Sequence, residues 1–260
     1  MLAPSPSAPV NWRNKVPAVA LSFWVIKILS TTVGETGADF LAVQVGWGQG
    51  PTSIAMAVLL LAALAIQMRS KTYVPWTYWL CVVLVSVVGT QITDLLTDKL
   101  EISLYISSAV FAVALAAIFA IWHSVEGTLS IQHIDNRRRE IFYWAAILCT
   151  FALGTAVGDL ATEALGLGFA YGSVVFGALL CMTYAARLMG VNSILSFWVA
   201  YILTRPFGAA IGDLLTQDRT YGGLGIGAMW TSAIFLAFIV SLVAVAQVQT
   251  QRLQRAPSPR

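Results

Sequence analysis

Charged side chains are scarce in this chain: Asp, Glu, Lys and Arg make up 10% of its 260 residues, under half the share of an average soluble domain. With 58% of the residues hydrophobic, a globule of this length has too little interior to hide them, and an ordinary water-facing surface is excluded. Cysteine is nearly absent as well. Cys81, Cys149 and Cys181 stand singly in apolar runs, so neither a disulfide framework nor a thiolate metal site is expected. The P-loop, HExxH, CxxC and GxSxG patterns are also missing, which leaves no basis for standard ATPase, zinc-protease, redox or serine-hydrolase chemistry. His123 and His133 are the only histidines, ten residues apart in or beside a polar connector, and read as solvated loop residues rather than metal ligands. The net charge of +3 comes from basic residues in short connectors and gives no nucleic-acid footprint.

The chain has instead long apolar runs, with a mean hydropathy of +0.78, and a fourfold internal repeat. Trp24, Trp79, Trp144 and Trp198 are each followed ten residues later by a glycine (Gly34, Gly89, Gly154, Gly208) and five further on by an aspartate (Asp39, Asp94, Asp159, Asp213). Successive tryptophans are 55, 65 and 54 residues apart, leaving room in each unit for a second apolar segment. About 20 apolar residues cross the hydrocarbon as a helix, and the runs lack the period-two alternation of a barrel. The expected fold is therefore all-α: a polytopic membrane protein with eight transmembrane helices in four parallel two-helix repeats. The repeats are expected at 15–75, 76–140 with a cytoplasmic connector, 141–191 and 192–248, between a disordered tail over 1–14 and a basic tail over 249–260. Basic residues at the termini and alternate connectors, among them Arg13, Lys15, Arg69, Lys71, Arg137, Arg138, Arg139 and Arg187, face only Lys99 and Arg219 on the other side. That bias puts both termini in the cytoplasm. All four first helices then run the same way, related by an axis along the membrane normal.

The repeated aspartates lie about 22 Å along the helix from their tryptophans. A second acid four residues away shares the face in three copies: Glu35 with Asp39, Asp94 with Asp98, and Asp159 with Glu163. An aspartate at a helix centre costs about 2.5 to 3.5 kcal/mol to insert, so these side chains are expected to face one another, water or a cation. If the first helices meet, the aspartates form a ring at one depth. Its oxygens suit a hard divalent cation such as Mn2+ or Mg2+, with Glu35, Asp39, Asp94, Asp159 and Asp213 as ligands, or a proton shared among crowded acids. Lys27 and Arg205 are the internal basic residues, expected as charge partners or gates. Gly154 with Gly158 and Gly208 with Gly212 have the spacing of close helix contacts. Gly34 and Gly89 join them as packing or hinge positions, and Pro206 marks the seventh helix as the one most disposed to open. The four tryptophans are expected as interfacial anchors. The same acids also admit a plainer use, as interhelical salt bridges or caps at loops.

The cores FWVIKILSTTVGETGAD, YWLCVVLVSVVGTQITD, YWAAILCTFALGTAVGD and FWVAYILTRPFGAAIGD resemble the bacterial integral-membrane family built from four tandem two-helix repeats of unknown function, each with a prominent tryptophan. The resemblance covers Lys15 to Val248. It implies eight spans in a bacterial inner membrane and brings no activity with it. From the residues themselves, the leading reading is a secondary transporter of a cation, a divalent metal ahead of a monovalent ion, with membrane lipids, the transported cation and a proton as partners. No tightly bound cofactor is expected. The alternatives are a non-transporting scaffold or sensor working through the central connector, and an intramembrane enzyme on a lipid-like substrate.

Overall fold

The computed structural model describes residues 14–40, 46 and 48–255, without the side chains at 38, 39 and 253–255. The expected N-terminal tail, nearly all of the loop after Phe40, and the Asp39 side chain fall outside the described residues. Eight long helices follow in order: α1 (Leu21–Asp39), α2 (Gln49–Arg69), α3 (Pro75–Asp94), α4 (Leu104–Glu126), α5 (Arg137–Asp159), α6 (Gly168–Leu188), α7 (Ser193–Thr216) and α8 (Ala228–Arg255). Local chemistry sets several of their ends. Pro75 sits in the first turn of α3, where its missing N–H costs nothing. Ser103, Asn136 and Asn192 accept backbone N–H groups at the starts of α4, α5 and α7, and Gly127 ends α4 at φ 71°. The central connector is shorter than the sequence suggests, because α4 continues to Glu126 and α5 begins at Arg137. The basic tail is likewise helical as far as Arg255.

The architecture is a ring of four helices inside a second set of four. α1, α3, α5 and α7 each touch the next, and α7 returns to α1. Half or more of each of α3, α5 and α7 is buried, against less than a quarter of α2, α4, α6 and α8. The outer helices expose large apolar side chains such as Ile54, Leu61, Val113, Val174 and Phe238, a surface suited to hydrocarbon rather than water. Each outer helix packs chiefly on the inner helix of the following repeat: α2 on α3, α4 on α5, α6 on α7, and α8 back on α1. The Thr36 hydroxyl, late in α1, meets that of Ser232, early in α8, at 2.6 Å, so these two helices are antiparallel.

Among the described residues, seven helices are long and apolar enough to cross a membrane. The expectation was eight, and α1 is the one that fails. Its 19 residues include Lys27, Ser30, Thr31, Thr32, Glu35 and Thr36, all buried. Because α1 lies in the inner ring and turns these groups towards protein, it can be this polar without presenting them to lipid. α7 runs unbroken through Pro206, which packs against Gly158. Short π-helical segments do occur, directly after two of the repeated aspartates, at Leu95–Lys99 and Leu160–Ala164.

Candidate functional site

Side chains four residues apart stack along one helix face, and on the inner helices this gives layers across the ring. The layer just before the tryptophans is aromatic: Phe23, Tyr78, Tyr143 and Phe197, all buried. There the Tyr78 and Tyr143 hydroxyls meet at 2.5 Å, and the rings of Phe23 and Phe197 are 6.0 Å apart. Next come Lys27, Val82, Ile147 and Tyr201, then Thr31, Ser86, Phe151 and Arg205, then Glu35, Thr90, Thr155 and Ala209, and last the four repeated aspartates. Equal offsets meet at both ends of the ring, so the inner helices run parallel and in register.

The repeated glycines hold that register. A β-carbon placed on Gly34 would strike Ser86; on Gly89, Phe151; on Gly154, Arg205; and on Gly208, Thr31, each within 2.8 Å of a side-chain atom. Every inner helix thus lays its glycine on the same position of its neighbour, around the full ring. Gly158 does the same against Pro206 and Gly212 against Thr32. Hydroxyls stitch the close approaches: Thr32 donates to the Gly208 carbonyl at 2.9 Å and Thr93 to the Ala152 carbonyl at 3.1 Å.

Arg205 joins the whole ring. Its Nη2 donates to Glu35 Oε2 at 2.6 Å, to Thr155 Oγ1 at 2.7 Å and to Thr90 Oγ1, so one nitrogen on α7 reaches α1, α3 and α5. Its three partners share one repeat position, and the fourth copy there is Ala209. Thr90 in turn donates to Glu35 Oε2 at 3.3 Å. Arg205 is fully buried, and among the described residues its Nε and Nη1 have no hydrogen-bond partner. Lys27, two layers nearer the tryptophans than Glu35, is also buried. Its ammonium donates to Thr31 Oγ1 at 3.1 Å and lies 3.9 Å from the Phe151 ring centroid and 4.4 Å from that of Tyr201, a cation held by π-faces.

Beyond Arg205 the acids gather. Asp159 lies within electrostatic reach of Glu35, Glu163, Asp94 and Arg205, and Glu163 within reach of Glu35 and Asp98. Acids from α1, α3, α5 and their π-helical extensions therefore share one field. Asp213 is buried on α7 in the layer of the repeated aspartates. Asp94 and Asp159 are half-buried, Asp98 and Glu163 exposed, and Gln49 donates to Asp98 at 3.0 Å. A recess of about 340 Å³ opens beside them, lined by Thr162, Glu163, Gly168, Phe169, Gln217 and Tyr221. Among the described residues, no three His, Cys, Asp or Glu side chains are grouped closely enough to hold a metal ion. Of the five acids expected as ligands, Asp39 lies outside that set and the other four do not make a preformed cage. Trp79, Trp144 and Trp198 are buried and Trp24 half-buried. Their rings pack in the aromatic end of the core instead of standing free at a headgroup boundary.

A second polar cluster escaped the sequence reading. Lys15, ahead of α1, is buried against Glu140 at the start of α5 at 2.6 Å and donates to the Met68 carbonyl at 3.3 Å. Gln67 bridges Glu140 and Thr77, so α2, α3, α5 and the entry to α1 meet at one point. Glu126 similarly takes up Arg138 and Arg139. Glu140 did carry a signal, since none of its repeat equivalents, Ala20, Pro75 and Ile194, is charged.

The model of the Repeat of Unknown Function (DUF347) matches this chain four times, at residues 22–73, 77–128, 142–189 and 196–252. No curated protein and no solved structure matches it. The chain belongs to that repeat family.

Proposed function

We propose that this member of the repeat family is a secondary transporter of a cation, with all eight helices spanning a bacterial inner membrane and both termini in the cytoplasm. The observation that carries the reading is that acids from α1, α3 and α5 lie within electrostatic reach of one another, beyond a buried arginine paired to one of them. The recess beside Glu163 gives a cation an entrance, and Asp94, Asp159 and Asp213 offer it hard oxygen donors. Further in, the cation competes with Arg205 for Glu35. Below that pair, Lys27, Phe151, Tyr201 and the aromatic layer close the axis, so the arrangement fits one side of an alternating-access cycle.

A proton is the natural coupling ion, because crowded carboxylates bind protons and metal ions in exchange. A divalent ion such as Mn2+ ranks first among cargoes. The scattered spacing of the acids means that it would be held only after they close in. The test is flux into proteoliposomes over a panel of Mn2+, Mg2+, Ca2+ and H+. Asp159→Asn and Asp213→Asn proteins that still insert and elute as a single species should lose about tenfold or more of the flux, the scale of a missing charge partner in a buried site. Undiminished flux in both variants would remove the carboxylate route.

A further inference from the structure

One groove on the outer surface differs from its counterpart in the next repeat. It lies where α2 and α5 face each other across α3, walled by Leu60, Leu64 and Met68 on one side and Ile141 and Leu148 on the other, with Val85 as its floor, and encloses about 250 Å³. The corresponding gap of the next repeat, between α4 and α7 across α5, is filled. The first two family matches differ by 55 residues at both ends, which puts Leu64 opposite Phe119 and Gln67 opposite Trp122. Those two rings close on Trp198 at centroid distances of 4.8 and 5.8 Å. Trp144, the counterpart of Trp198, borders the groove instead, because an aliphatic and an amide side chain stand where two aromatics would cover it.

Charge marks one end of this groove. Arg69 follows Met68 directly, and Arg137 precedes Ile141 by one helical turn on the same face. Both are exposed, and among the described residues neither has an ion pair, whereas the neighbouring Arg138 and Arg139 are engaged with Glu126. An apolar cleft on a lipid-facing surface, walled by two helices whose ends at that side carry the exposed Arg69 and Arg137, matches a molecule with a hydrocarbon chain and a negative head. We infer that the α2–α5 groove is a binding site for an anionic glycerophospholipid, one acyl chain lying against Leu64 and Trp144 and the phosphate at Arg69 and Arg137.

Native mass spectrometry of the full chain, released from detergent containing equal amounts of dioleoylphosphatidylglycerol and dioleoylphosphatidylcholine, reads retained lipid and oligomeric state together. The unmodified protein should retain phosphatidylglycerol over phosphatidylcholine by about tenfold or more, as expected for two arginines at a headgroup. Leu64→Phe, which installs the ring present at residue 119, should abolish that preference, and Ala145→Leu should do so from the α5 wall. Arg69→Gln combined with Arg137→Gln should bring phosphatidylglycerol down to the phosphatidylcholine level while leaving the latter unchanged. The assignment is overturned by equal retention of the two lipids in the unmodified protein. Undiminished retention in whichever filling variant elutes as a single species also overturns it, as does unchanged preference in the double arginine variant. A lipid-free dimer broken by Leu64→Phe would make a second copy the occupant and overturn it equally.

Discussion

Arg205 uses a single nitrogen to reach three helices, and the size of each contact decides what its loss would do. Hydrogen bonds between membrane helices average about 0.6 kcal/mol and reach about 1.7, so Thr90→Val or Thr155→Val should each lower stability by that modest amount. Removing one member of a buried ion pair costs more, about 3 to 5 kcal/mol, because the other charge is left unpaired. Arg205→Met should therefore be the most damaging single change in this layer. Combining it with Glu35→Met should recover most of the loss, since a buried pair exchanged for apolar groups is close to neutral. Unfolding of the four variants in dodecyl sulfate measures this, and an Arg205→Met no worse than Thr90→Val would deny the pair any structural weight. Glu35 and Arg205 stand out in the sequence as departures from the repeat, at positions where the other copies have threonine, serine, alanine or phenylalanine. Their depths can be read from spacing. Their partnership cannot, because spacing along a helix does not tell which neighbour the helix turns towards. Lys15 and Glu140 were hidden for another reason: each resembles a water-facing charge at a helix end until the fold buries both.

At the scale of helices, the glycine register makes the sharpest test. Gly154→Ala would put a β-carbon 2.5 Å from the Arg205 side chain, whereas the same change at Gly37 meets nothing within 4 Å. Overpacking costs about 1 to 3 kcal/mol, while an alanine in an open helical position gains up to about 1 kcal/mol over glycine. Gly154→Ala should thus lower the melting temperature and Gly37→Ala leave it level or raise it. A fall of equal size in both would mean that the inner helices do not meet where the register places them. The constant offset of these glycines is plain in the sequence, whereas the pattern common to the π-helical segments, DLLTD after Gly89 and DLATE after Gly154, is nearly repeated as DLLTQ in α7, which stays α-helical to Thr216. The loops offer a separate check. Outside the membrane helices, the Thr220 amide and hydroxyl both donate to Asp218 and hold its carboxyl below the usual carboxylate range. With the folded value below the unfolded one, this contribution is present above the unfolded value and vanishes as pH falls through the folded one. Exchange protection at the Thr220 amide should therefore persist at neutral pH and be lost only below about pH 3.9; loss already at pH 5 would contradict it.

Across the whole molecule, the sequence repeat and the packing repeat are out of phase. Tandem copies announce that units exist, but identical units pack equally well within a copy or between copies, and only the structure shows that each outer helix covers the next inner one. The antiparallel contact between α8 and α1 brings the end of α8 to the start of α1, which suits circular permutation. A chain beginning with residues 228–255, linked to 14–226, should insert and melt within a few degrees of the parent, while deletion of α8 should prevent folding; circular dichroism on the purified proteins distinguishes these results. A permutant that fails while the α8 deletion folds would show that α1 needs no cover from α8. The same contact has a consequence for biosynthesis. α1 falls short of the spanning hydropathy that the other seven helices reach and is synthesised ahead of them, yet the helix that shields it is the last of the eight. At 5 to 20 residues per second the delay is on the order of 10 to 40 seconds. Throughout that interval the nascent chain must keep α1 at the translocon or among its early neighbours, and any product truncated before residue 228 carries a permanently uncovered α1 for membrane proteases to find.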